Sequence, residues 1–122
     1  MCWSNNEAIN KIAKNNFTVY KLVIPKDNSC TSLFKEFNYD FHKKYTELVV
    51  INYVYGFYYI NEGFHSYKSL KVARYMPACI IVNGITYEGR IAKCTIPKGA
   101  TYYTNADKEV VSNQIIIDSY YE

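Results

Sequence analysis

The chain has 122 residues, of which 49% are hydrophobic and 20% charged, with a formal net charge of +3. That size and balance fit a single domain spanning 1–122 and exclude a disordered tail. The cations are scattered along the chain and only Arg74 and Arg90 are arginines. This argues against a nucleic-acid binder, which needs a clustered basic face, and leaves a weak preference for anionic ligands.

Tyrosine accounts for 14 residues. An aromatic recognition surface would use that composition. So would an A/T-rich coding sequence, because Lys, Asn, Ile and Tyr are all frequent and Tyr serves strands well. Cys2, Cys30, Cys79 and Cys94 lie far apart, with no C-x-x-C or Cys/His pair at zinc-ligand spacing, so no metal is expected. No apolar leader opens the chain, and no apolar run reaches the ~20 residues of a membrane span. The expectation is a cytoplasmic protein with reduced thiols and no membrane association.

In chain order, Ser4 and Glu7 fit a capping box, and Ala8, Ile9, Ile12 and Ala13 share a helical face, so a short helix is predicted within 1–16. Cys2, once Met1 is removed, would place a thiol beside a free amine. Residues 17–24 are β-branched and aromatic and are apolar on both faces, which predicts a central strand ended by Pro25. A loop at 26–29 follows. Phe37, Tyr39 and Phe41 alternate with polar residues over 33–41, a half-buried strand, and 42–44 is a turn. Strands are predicted at 45–52 and 53–61, with Gly56 marking a bulge or a turn, the whole forming an antiparallel meander.

Gly63 permits a backbone conformation that other residues resist. Ser66 or Ser69 caps a helix of about two turns containing Leu70, Val72 and Ala73 and stopped by Pro77. Strand 78–82 leads to Asn83-Gly84, a hairpin signal, and 87–89 offers a second turn. Over 90–96, Ile91, Lys93 and Thr95 point one way and Ala92, Cys94 and Ile96 the other. A break at 97–99, a polar loop at 105–108 and a last strand at 110–117 complete an α+β reading: one β-rich domain, mostly antiparallel, of about six to eight strands with one or two short helices.

Histidine is the natural general base at neutral pH, and of His42 and His65 the second stands among Gly63, Ser66 and Ser69. A Ser–His nucleophile needs a third, orienting acid, which the sequence does not name. Free N–H groups at the helix start would suit a phosphate, but the Gly-rich phosphate loop is absent.

Segments 63–73 (GFHSYKSLKVA) and 93–117 (KCTIPKGATYYTNADKEVVSNQIII), with the opening MCWSNN and KIAKNNFTVYKLV, resemble a group of short uncharacterised proteins of gut Bacteroidales and their phages or prophages. That resemblance implies a mobile-element accessory protein working in a bacterial host and carries no mechanism. A more distant likeness is to ADP-ribosyltransferases, with Tyr20-Lys21, 64–66 and 97–114 at the positions of their three motifs. Lys21 stands where those enzymes have Arg, and neither a Ser-Thr-Ser nor a Glu-x-Glu element occurs, which implies shared architecture without the catalysis.

The sequence therefore points to a non-catalytic binding protein, cofactor-free, for a host protein or a small anionic ligand. Tyr20, Lys21, His65, Ser66, Tyr67 and Tyr102 are the candidate site, and a homodimer would suit the aromatic content. The alternative is a transferase using NAD or another nucleotide, with His65 and Glu109 as acid and base and Lys21 on a phosphate.

Overall fold

The computed structural model describes residues 2–3, 11–26, 29–32, 38–55, 57–74, 79–82, 84–104 and 109–121. Its organising strand is β3 of the sixteen elements, Phe17–Pro25, which pairs along Phe17 to Val23 with β12 (Arg90–Ile96) in antiparallel register, Phe17 opposite Ile96 and Val23 opposite Arg90. Strand content follows from the residues: both β3 faces carry apolar side chains, so both must be covered. Val19, Lys21 and Val23 are buried on one face, and Leu22 and Ile24 on the other.

The remaining strands are, in order, β1 (Cys2–Trp3), β2 (Lys11–Ile12), β4 (Ser29–Ser32), β5 (Asn38–Asp40), β6 (Lys44–Thr46), β7 (Val50–Val54), β8 (Phe57–Glu62), β9 (Phe64–Tyr67), β10 (Cys79–Val82), β11 (Ile85–Glu88), β13 (Thr101–Thr104), β14 (Glu109–Ser112) and β15 (Gln114–Tyr120). The main sheet runs β2-β13-β14-β9-β3-β12-β15-β6, with β4 and β5 branching from β3. A three-stranded sheet β1-β8-β7 and the hairpin β10-β11 complete the described strands.

The sheet curls back on itself. From β3 one path leads through β12 and β15 to β6, and the other through β4 to β5. β5 and β6 are consecutive in the chain, and the Asp40 N–H donates to Tyr45 Oη across the turn between them at 2.6 Å. His42 stands in that turn with φ 64°, and its N–H donates to the Ile117 carbonyl at 2.8 Å, tying the turn to β15. The ring so formed encloses Val19, Val23, Cys30, Tyr39, Ala92, Cys94 and Ile117 in one apolar core that extends to Phe64 and Val110. Each fully buried Val or Ile there contributes about 1.5–3 kcal/mol.

The chain is therefore all-β, which corrects the α+β expectation. Ten strands form the main sheet, beyond the six to eight predicted. Among the described residues the one helix is α1 (Leu70–Arg74), five residues long and too short to make a layer. Its first turn is closed by the Ala73 N–H donating to the Ser69 carbonyl at 3.1 Å, so Ser69 stands at its start, as the sequence offered. Met76 and Pro77 lie outside the described residues.

The predicted N-terminal helix is corrected at its end. Lys11–Ile12 is a strand on β13, and the ladder continues as the Ala13 N–H donates to the Ala100 carbonyl and the Gly99 N–H to the Ala13 carbonyl, both at 2.9 Å. Ile12 and Ala13, read as one helical face, have opposite fates: Ile12 is exposed and Ala13 buried. Ser4, Glu7, Ala8 and Ile9 lie outside the described residues.

Two other expected strands are divided. The run 45–52 becomes β6 and β7, in different sheets. The run 110–117 breaks at Asn113, whose side-chain Oδ1 accepts from the Thr101 N–H and whose N–H donates to the Thr101 carbonyl, holding β13 beside the break. The predicted loop at 26–29 gives up Ser29, which opens β4.

β12 follows its sequence reading throughout: Ala92, Cys94 and Ile96 are buried, while Ile91 and Thr95 are half-buried and Lys93 exposed. β10 and β11 form a hairpin where the sequence signalled one, with Val82 opposite Ile85 and Gly84 at φ 79°; Asn83 lies outside the described residues.

Candidate functional site

Five of the six candidate residues come from two neighbouring strands. Tyr20 of β3 stands directly opposite Tyr67 of β9. β9 in turn pairs with β14, placing Glu109 opposite Tyr67, Val110 opposite Ser66, Val111 opposite His65 and Ser112 opposite Phe64. The segment 64–67, expected as the approach to a helix with free N–H groups, is a strand with its ladder made on β14. No phosphate cradle of free N–H groups forms along it.

That difference divides the candidate set, because successive side chains of a strand point to opposite faces. Phe64 and Ser66 are buried and point into the core; His65 and Tyr67 are half-buried and point outward. On β3, Lys21 lies on the inward phase with Val19 and Val23, and Tyr20 on the outward one. Tyr102 of β13 belongs with the inward set: it stands opposite Ser112, and its ring packs on Phe17 at 5.0 Å. The structure thus gathers Lys21, Ser66 and Tyr102 on the inner face and Tyr20, His65 and Tyr67 on the outer one.

The outer group is an aromatic patch with one carboxylate. Glu109 shares its face with Tyr67, and His65 lies two pairs along the same two strands, on that face again. Burial raises the Tyr67 phenol, and Glu109 raises it further. Tyr121 packs edge-on against Tyr20 at 6.1 Å, held by its own N–H donating to the Ile91 carbonyl at 2.7 Å. α1 lies against β3 and β9 on this side, with Ala73 buried beneath it. Val111, Val49 and Tyr103 form a small apolar cluster beside the patch. Gly63 makes the approach to β9 there: at φ +129°, a Cβ on it would meet Val111 Cγ1 at 2.6 Å.

The inner group centres on Lys21. Its Nζ donates to the His65 carbonyl at 2.6 Å and stands 5.8 Å from the centre of the Tyr39 ring. Burial pulls its pKa down, against weaker upward pulls from Cys94, Cys30 and Glu47. The same low-dielectric surroundings push the Cys94 thiol up to about 12 and the Cys30 thiol up to about 11, and hold the Tyr39 phenol well above its ordinary value. Both thiols are free, and at those values they are protonated and unreactive at neutral pH. The general base that a Ser66 nucleophile would need is not in reach: Ser66 Oγ is buried without a hydrogen-bond partner, and His65 points to the other face.

Tyr39, Cys30 and Cys94 were not picked out as Lys21's neighbours from the sequence. The available signal was phase: Cys94 alternates inward on β12, as Tyr39 does in its own strand. Cys2 lies on β1, which pairs with β8. Among the described residues, no three His, Cys, Asp or Glu side chains come together to hold a metal, and no helix is long and apolar enough to cross a membrane.

Comparison with protein-family models, curated proteins and solved structures finds no match to this chain. Of the segments compared with ADP-ribosyltransferases, 20–21 and 64–66 lie on neighbouring strands, but Glu109 faces away from Lys21 and Ser66.

Proposed function

We propose that the chain is a non-catalytic binding protein whose outer face, built on Tyr20, His65 and Tyr67 with Glu109 at its side, holds a partner protein. The observation that carries this reading is the division of the candidate residues across the sheet. It leaves three half-buried rings and a carboxylate together on the solvent side, and takes Lys21, the buried lysine among the described residues, away from any ligand bound there. Half-buried tyrosines offer large contact area at small entropic cost, which is how protein-recognition surfaces use them. With Lys21 engaged on the His65 carbonyl, a small anion loses its partner, and of the two ligand classes expected the protein is favoured. In the mobile-element setting implied by the sequence resemblance, that partner is a protein of the bacterial host cytoplasm.

The test is site-specific. A photo-crosslinking residue at position 67 is expected to capture one protein band from host extract that the same residue at Lys93, on the exposed phase of β12, does not. Equal capture from both positions, or none from position 67, refutes the reading. The nucleotide-transferase alternative keeps His65 and Glu109 on one face but gives up Lys21; labelled NAD left untransferred to host extract disposes of it.

A further inference from the structure

The inner face carries a second chemistry that protein binding does not use. Lys21 is 8% exposed, and the partner of its Nζ is a peptide carbonyl. A neutral amine donating one hydrogen to that oxygen keeps its lone pair, and burial, the largest influence on this group, favours the neutral form. A lysine desolvated in apolar surroundings is the recognised way to make an amine nucleophilic at neutral pH.

Beside it stands Ser66, 2% exposed, with a hydroxyl that meets no hydrogen-bond partner. The Tyr20–Tyr67 pair fixes the antiparallel register of β3 and β9. One step along from that pair, Lys21 and Ser66 lie opposite each other, both inward. An orphaned hydroxyl in a core is destabilising, and a molecule supplying its missing partner would relieve that loss. The side chains packed around them are Val19, Val23, Phe64 and the Tyr39 ring, with the Cys30 and Cys94 thiols held protonated nearby. Such a lining rejects an anion, because nothing but the amine itself could pair with it. It accepts a small uncharged molecule with one polar atom.

We propose that Lys21 is a covalent site for a small uncharged aldehyde, held with its carbonyl oxygen on Ser66 Oγ and its carbonyl carbon toward Lys21 Nζ. The amine lone pair forms a bond to that carbon, and the carbonyl π pair moves to the oxygen, which Ser66 holds by donating its hydrogen. The resulting carbinolamine loses that oxygen, with the two amine hydrogens, as water. A C=N bond remains between Lys21 and the former aldehyde carbon. No oxidant or reductant is consumed.

The experiment uses the full chain at pH 7 with limiting acetaldehyde and dimethylamine–borane, an uncharged reductant that an apolar lining admits. The reductant delivers hydride to the imine and fixes it as an ethylated lysine, read by peptide mass spectrometry against time. The exposed Lys14 and Lys98 serve as references within the same molecule. Each unit by which a lysine's pKa falls raises its neutral fraction about tenfold at this pH. Lys21 is expected to label at least about ten times faster than either reference. Ser66→Ala, its fold checked by circular dichroism, is expected to slow Lys21 several-fold and leave Lys14 and Lys98 unchanged. Labelling of Lys21 in the wild-type chain at or below the reference rate overturns the proposal, whether the cause is a charged amine or a closed core. An Ser66→Ala variant that folds and labels Lys21 at full rate removes Ser66 from the site and overturns the stated geometry.

Discussion

The two faces of the β3–β9 pair are made from similar residues and do different work. Inside, Tyr39 packs edge-on against Tyr45 at 5.2 Å and tilted against Phe64 at 6.1 Å, its phenol held protonated by burial. Outside, Tyr20 and Tyr67 face each other across one strand pair and remain half-buried. Ring chemistry is the same on both sides; what differs is whether a second layer closes over it. On the inner side the sheet's own curl supplies that layer. On the outer side α1 and the β10-β11 hairpin lie against β3, and the tyrosines remain half-buried. Composition alone therefore says little about a tyrosine's role, whereas its phase on the strand decides it.

The comparison is broken hardest by truncating adjacent residues of β9. Phe64→Ala, inward, is expected to cost about 3–5 kcal/mol in urea unfolding and to leave little folded protein. Tyr67→Ala, outward, is expected to cost about 1 kcal/mol while abolishing the crosslink to the partner. Equal losses from the two would erase the distinction between faces.

Gly63→Ala comes next, at roughly 2–4 kcal/mol by thermal unfolding. It adds a strained positive φ to a collision with Val111. A variant as stable as the parent would show that the approach to β9 can relax.

The inner face should also announce itself in the pH dependence of stability. Cys30 and Cys94 have folded-state pKa values raised from 9.0 to about 11 and about 12. The folded chain keeps protons that the unfolded chain gives up, so their contribution is whole below pH 9 and is lost as pH rises toward 11–12. Each group steepens the fall by up to about 1.4 kcal/mol per pH unit. Lys21 works the other way: its lowered value means the unfolded chain binds the extra proton, so stability climbs with pH toward 10.5. Denaturant titrations from pH 6 to 11 should show a rise and then a fall. Cys94→Ala should flatten the fall and Lys21→Met the rise. Curves unchanged in both variants would place these groups in contact with water.

The smallest effect sharpens the comparison from outside. Tyr20→Phe is expected to change stability by less than about 0.5 kcal/mol in the same titration. A larger loss would mean that the hydroxyl at this position is structural and that the outer patch belongs to the framework.

What the sequence made legible tracks how one-sided each strand is. β12 has one buried face and a clean period of two, and its phase was readable residue by residue. β3, apolar on both faces, announced its central place. The N-terminal segment was misread because Ile12 and Ala13 fit a helical spacing, while the partner that draws them into a ladder, 99–101, lies far along the chain. Gly63 to Leu70 was misread for a related reason: a glycine and two serines resemble a helix approach until β14 supplies the ladder. That one error placed His65 and Ser66 in a common site. A strand puts adjacent residues on opposite sides, so the candidate residues fall on neighbouring strands and on both of their faces.

The register of β3 has a consequence for how the molecule comes into being. Phe17 and Ile96 are partners, so the central strand emerges from the ribosome with most of the chain between it and the neighbour that completes it. At about 5–20 residues per second, β3 waits roughly 4–15 s for β12. During that interval a nine-residue segment, apolar on both faces, has nothing native along its longest edge. Pairings between distant segments are slow to find even once both are made. The nascent chain thus passes through a stage at which its longest strand is among its least protected, and yield on expression should depend on synthesis rate and on chaperone supply more than the finished fold would suggest.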